Sequence, residues 1–134
     1  MTCYLCHNPL KDIPLLKENI IVPYVFPPEQ IDHLLEAVCN RVRKSKAHFL
    51  HDLALYSAVL LLARCGMRIS EPLRLLRHHY RGDDKTIYIE KTKFKKDRLI
   101  SVPKAVITEI GNYLSVRKHL CPHDENPYLL SGRK

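Results

Sequence analysis

The sequence predicts an α+β fold that is mainly helical, with a small antiparallel β-hairpin or sheet packed beside about four helices. Three observations predict it. Apolar residues recur at helical spacing in three stretches, around residues 28–44, 49–64 and 103–120. Two short stretches, 86–90 and 98–102, alternate like strands and flank a lysine-rich loop. The chain has 134 residues, 46% hydrophobic and 27% charged, as expected of one globular domain that buries its own core.

The elements follow in order. Residues 1–27 carry Pro9, Pro14, Pro23 and Pro27 with little periodicity and read as extended chain. Residues 1–22 form a linker or N-terminal extension, and 23–134 the folded part. Pro27-Pro28-Glu29-Gln30 opens a first helix, with Ile31, Leu34, Leu35, Val38 and Val42 on one buried face. Its acids come early and its bases late, which suits the helix dipole. The second helix, 49–64, has leucines at 53, 55, 60, 61 and 62, around most of its circumference, and is expected at the centre. Gly66 caps it. Ser70 is the expected N-cap of a third helix, with Leu73, Leu75 and Leu76 as its contacts, until Gly82-Asp83-Asp84 breaks it. His78 and His79 are expected at its exposed end. The hairpin follows. Pro103 then starts a fourth helix, with Val106, Ile107, Ile110, Tyr113 and Leu114 on one face, ended by Pro122. Tyr128-Leu129-Leu130 reads as a short edge strand against the sheet.

The net charge is +8 and the pI about 9.4. The bases cluster at residues 41–46, 74–81 and 91–98, which favours an anionic partner, nucleic acid foremost. Charge alone also fits a membrane surface. The longest apolar run, 58–63, is far too short to span a bilayer, and no signal peptide is evident. A cytoplasmic protein with five reduced cysteines is therefore expected. Cys3-Tyr4-Leu5-Cys6-His7 spells a haem-attachment pattern and half of a zinc site. A zinc site needs four ligands, and no second pair has matching spacing. The competing reading is a frayed N-terminal segment.

The stretch Gly66-Met67-Arg68-Ile69-Ser70-Glu71 carries the chemistry. An Arg at a helix start, just past a glycine turn, is suited to gripping a phosphate, and a lysine-rich loop nearby adds cations. The other reading of Arg68 is a surface residue beside a cap. That of Glu71 is a first-turn acid stabilising the helix. Lysine runs are commonly solvated faces.

These residues resemble the tyrosine recombinases, or phage integrases. Val22-Pro23-Tyr24-Val25-Phe26 with Glu29 and Ile31 resembles the start of their catalytic domain. Residues 62–75, from Leu62-Ala63-Arg64-Cys65 through Pro72-Leu73-Arg74-Leu75, resemble their first conserved box. Thr86-Ile87-Tyr88-Ile89 and Thr92-Lys93-Phe94-Lys95-Lys96-Asp97-Arg98-Leu99-Ile100 resemble the hairpin bearing their catalytic lysine. The resemblance covers residues 22–132 and implies the catalytic residues Arg68, Lys93 and Glu71. Arg68 would hold two non-bridging oxygens of the scissile phosphate. Lys93 would be the general acid for the departing 5′-hydroxyl, although its place among Lys91–Lys96 stays open by one or two positions. Glu71 would orient its neighbours. Lys91, Lys95, Lys96, Arg98 and Arg74 would contact DNA. The resemblance implies no cofactor and no metal.

The family's second box, His-x-x-Arg, and its nucleophilic Tyr do not follow Lys93 in this sequence. The expectation is thus a partial catalytic domain, 23–134, truncated before the second box. It would be a DNA-binding recombinase fragment derived from a mobile element, inactive alone. Its partners would be double-stranded DNA and other recombinase protomers, with no membrane, in a prokaryotic cytoplasm at the nucleoid. The alternatives are an active strand-transfer enzyme completed by a second polypeptide, and a small haem or zinc protein using Cys3, Cys6 and His7.

Overall fold

The structure, a computed structural model, describes residues 21–90 and 96–130. The elements run α1 (Pro28–Asn40), α2 (Lys46–Cys65), α3 (Glu71–Arg74), a 3-10 turn (Arg77–His79), β1 (Tyr80–Arg81), β2 (Thr86–Ile89), β3 (Arg98–Ser101) and α4 (Lys104–Leu120). The predicted α+β class is correct. The Cys3-x-x-Cys6-His7 pattern lies outside the described residues. No described helix is long and apolar enough to cross a membrane.

Helices α2 and α4 pack on each other and on one face of the sheet. Leu61, Ile87, Ile110 and Leu129 are fully buried where they meet. Fully burying one such side chain is worth roughly 1.5–3 kcal/mol. Helix α2 is central, as expected, yet not buried all round, since Leu55 is exposed. Helix α1 lies against α2 through Leu35 and the half-buried Ile31 and Val38, while Leu34, expected on the buried face, points outward. Two ion pairs hold the α1–α2 layer. Arg64 meets Asp32, and Arg43 forks onto Asp52 through Nε at 2.8 Å and Nη2 at 2.9 Å. The Arg43 guanidinium holds the Asp52 carboxyl well below the usual carboxylate range.

The sheet is antiparallel in the order β1-β2-β3. Tyr80 pairs with Ile87, and Ile87 in turn with Ile100. Alternation puts Ile87 and Ile89 in the core and leaves Thr86 and Tyr88 half-buried on the other side. β1 is an addition to the expected hairpin. Gly82-Asp83-Asp84-Lys85 does not end a helix but turns β1 into β2, with Lys85 in the left-handed region at φ 53°.

The third helix differs most from expectation. It is a single turn, Ser70 makes no side-chain cap, and Leu73 is exposed. Leu75 is already extended, and its carbonyl accepts the Leu129 N–H at 2.7 Å. Leu76 bridges to Tyr128, and the Arg77 N–H donates to the Pro127 carbonyl at 2.9 Å. Backbone groups that would have continued the helix are thus bonded to the 127–129 segment. The same contacts correct the reading of Tyr128, which bridges to the chain after α3 rather than joining the sheet. Tyr128 is 45% exposed.

Gly66 caps α2 in the left-handed conformation, φ 60° and ψ 34°. A Cβ there would meet nothing within 4 Å, so a substitution strains the backbone alone. Gly66→Ala is expected to lower stability by about 1 kcal/mol, read from urea denaturation midpoints. An unchanged or higher midpoint would contradict the cap.

Candidate phosphate-binding site

Past Gly66 the chain turns through Met67, buried in the core, and presents Arg68 and Ile69 outward. Burying Met67 anchors the turn while leaving the Arg68 side chain 45% exposed. The turn closes on itself by two bonds. The Glu71 N–H donates to the Arg68 carbonyl at 2.9 Å, and the Arg68 N–H donates to Glu71 Oε2 at 2.7 Å. Glu71 thus reaches back three residues onto the Arg68 N–H, the same i to i−3 span as the acidic arm of a capping box.

Glu71 is the hub of the site. Its side chain is 8% exposed, and Oε2 also accepts Arg98 Nη2 at 2.5 Å. Arg68 Nη1 stands 3.5 Å from Oε1. A buried carboxylate is sustained only by such partners. Through Glu71 the start of β3 is fastened to the turn that carries Arg68, across 27 residues of sequence. Arg98 Nε and Glu71 Oε1 are both buried without a hydrogen-bond partner among the described residues.

A cavity of about 530 Å³ opens beside this cluster. Arg68, Glu71, Arg74, His79 and Glu90 are among its lining residues. The Glu71 charge is engaged by Arg98 and the Arg68 N–H, so the exposed Arg68 guanidinium keeps donors for an incoming anion. Arg74 is exposed at the same cavity, and Lys96 is exposed just before β3. Lys91, Lys93 and Lys95 lie outside the described residues. Their flanks do not: Glu90 lines the Arg68 cavity, and Arg98 binds Glu71. Near the same end the Tyr88 hydroxyl donates to Asp97 Oδ2 at 2.7 Å, which pushes the phenol's pKa up.

The two histidines separate. His78 is exposed, but His79 is 5% exposed, against the expectation of two exposed helix-end residues. The 3-10 turn swings His79 inward, where its ring meets Tyr88 edge-on at 5.6 Å. Cys39, Cys65 and Cys121 are free thiols, and burial raises the Cys65 pKa, so Cys65 is no activated nucleophile.

One residue escaped sequence reading altogether. Arg117, on α4, is 2% exposed and collects the segment after the helix. Its Nε donates to Asp124 Oδ2 at 2.7 Å, and its Nη1 to the carbonyls of Tyr128 and Leu129, each at 2.7 Å. Nη2 donates to the Asn126 carbonyl at 3.2 Å. Arg77, beside the site, binds the same Asp124 carboxylate at 3.1 Å. The available signal was position: Val106, Ile110, Tyr113 and Arg117 fall on one helical face, and all four are buried.

Comparison with known proteins sets this geometry in context. The sequence matches the phage integrase family over residues 25–134. A Sinorhizobium fredii protein named as an integrase/recombinase is 30% identical over 112 residues, covering 83% of this chain and 35% of that protein. The TnP I resolvase of Bacillus thuringiensis is 32% identical over 79 residues, covering 59% of this chain and 28% of the resolvase. The crystal structure of XerA recombinase shares the fold, with a TM-score of 0.65 at 22% identity over 84% of this chain and 36% of that one. The chain spans about a third of the length of the curated relatives it matches.

Proposed function

The chain belongs to the phage integrase family, and we propose that it is the DNA-phosphate-gripping portion of a tyrosine site-specific recombinase. The observation that carries this reading is Arg68, held by a buried Glu71 at the mouth of a cavity, with Arg98 of the hairpin tied to the same carboxylate. Glu71 fixes the Arg68 backbone, so the guanidinium is presented from an anchored turn with donors left for a phosphate. Stabilising the charge that builds on a phosphoryl group is its natural task. Glu71 positions Arg68 and Arg98 rather than reacting.

Lys93 is the proposed general acid for the leaving 5′-hydroxyl. The anchoring of both flanks of segment 91–97 at the Arg68 site supports this assignment. Lys91, Lys95, Lys96 and Arg74 are proposed to contact the duplex backbone, with double-stranded DNA as substrate and further protomers as partners. Covalent strand transfer also needs a nucleophile and a second pair of phosphate ligands. The His-x-x-Arg pattern does not occur after Lys93, so the 134-residue chain by itself is proposed to bind DNA without cutting it. A segment bearing that pattern and a Tyr would complete the chemistry.

The test uses fluorescence anisotropy on duplex DNA at low salt, with a nicked suicide substrate in parallel. Arg68→Ala is expected to weaken binding roughly tenfold, the loss of one charge-assisted phosphate contact. Indifference of binding to this change would remove the role given to Arg68. No covalent adduct is expected from the chain alone. An adduct that disappears in Tyr128→Phe would make the chain a minimal recombinase instead.

A further inference from the structure

The 3-10 turn and the residue after β2 bring three potential metal ligands together at the edge of the cavity that Arg68 lines. The donor atoms of His78, His79 and Glu90 all lie within 4.8 Å of one another. Adjacent residues of a strand point to opposite faces, so consecutive histidines there could not share an ion. In a turn of three residues per revolution they diverge by only about 120°. Here the two imidazole centroids are 4.2 Å apart.

His79 supplies the second observation. It is 5% exposed, and its Nε2 is buried with no hydrogen-bond partner among the described residues. That atom lies 3.3 Å from Glu90 Oε1, yet the geometry is not that of a hydrogen bond. Two ligands on one tetrahedral zinc, with bonds of about 2.0–2.1 Å, stand about 3.3 Å apart. The His79–Glu90 separation matches that of two ligands sharing an ion.

We propose that His78, His79 and Glu90 form a site for one zinc-class divalent transition-metal ion, with its remaining coordination position open to the cavity that Arg68 lines. Two neutral imidazoles and one carboxylate suit such borderline cations better than magnesium or calcium, which take oxygen ligands. With one ligand charge against two on the metal, the occupied site stays cationic. Its open position accepts an anionic oxygen in the cavity that Arg68 also lines. The exposed His78 and Glu90 provide the path in. The site forms without DNA, so it stands or falls apart from the recombinase reading.

The test titrates the untagged full chain, reduced and metal-free, with cobalt(II), following the visible d–d absorption and then its loss on adding zinc. Cys3→Ser/Cys6→Ser serves as background, because the Cys3-Tyr4-Leu5-Cys6-His7 pattern would otherwise bind the same ions. One equivalent of cobalt is expected, in tetrahedral or five-coordinate form and without thiolate charge-transfer bands. Glu90→Gln and His78→Ala alter exposed side chains, so their folding is verifiable by circular dichroism. Each loses a direct ligand and is expected to weaken binding by at least the roughly 10–100-fold that second-shell changes cost. Absence of cobalt uptake in the Cys3→Ser/Cys6→Ser chain, or affinity in either variant equal to that background, overturns the proposal.

Discussion

Arg117→Met is expected to destabilise the domain by about 3–5 kcal/mol, the usual cost of breaking a buried ion pair from one side. That is a large fraction of the roughly 5–15 kcal/mol that holds a domain folded. The Met fills the aliphatic volume but removes every donor. The carbonyls of Asn126, Tyr128 and Leu129 lose the Arg117 donors, and among the described residues the Asp124 carboxylate keeps Arg77 and the Asn126 N–H. A fall of at least about 10 °C in Tm should be seen by calorimetry. The effect should also reach the candidate phosphate site. Segment 127–129 bonds the backbone at Leu75 and Arg77, next to the turn bearing Arg68 and Glu71. Added Asp124→Asn should restore part of the loss by relieving the abandoned carboxylate. A cost below about 1 kcal/mol would show that Arg117 is no clasp.

Asp124 gives the same region a pH signature. The Asn126 N–H and the Arg117 guanidinium hold its pKa below the ordinary value. A depressed carboxyl contributes stability that is present above the unfolded pKa, near 4, and lost as pH falls through the folded one. Acid should therefore loosen this clasp in the wild type, and less so in the Arg117→Met background.

DNA affinity is expected to fall several-hundred-fold between about 50 and about 200 mM salt, given neutralisation of about five phosphates. The net charge of +8 permits this number, and the structure explains why it is not larger. Arg43, Arg64, Arg77 and Arg98 already face carboxylates in the free protein. Arg74 and Lys96 are exposed and form no ion pair among the described residues. Removing either should lower the slope of log affinity against log salt by about one. A slope flatter than about −1, or no binding at low salt, would argue against a phosphate-tracking surface.

The family and its first box were legible in the sequence because their signals are local. Glycine at a helix end, an Arg two residues on and an acid three beyond that require no knowledge of distant chain. Periodicity likewise located α1, α2, β2, β3 and α4, since each buries one face. His79 was misread for the same reason that α3 was overextended. The run Leu73-Arg74-Leu75-Leu76-Arg77-His78-His79 has good helical propensity and no breaker. Its continuation was prevented by hydrogen bonds from the 127–129 segment, which local propensity does not register.

By itself, then, the sequence determined the α+β class, the order of the elements, the basic character and the Arg68–Glu71 spacing. The tertiary structure alone decided which cations are engaged and which are presented. Arg98 and Lys96 are both basic hairpin residues, yet one binds a buried carboxylate and the other faces solvent. Charge along a chain is additive and local. Pairing depends on which carboxylate the fold brings within about 4 Å, and that is set by core packing among α2, α4 and the sheet.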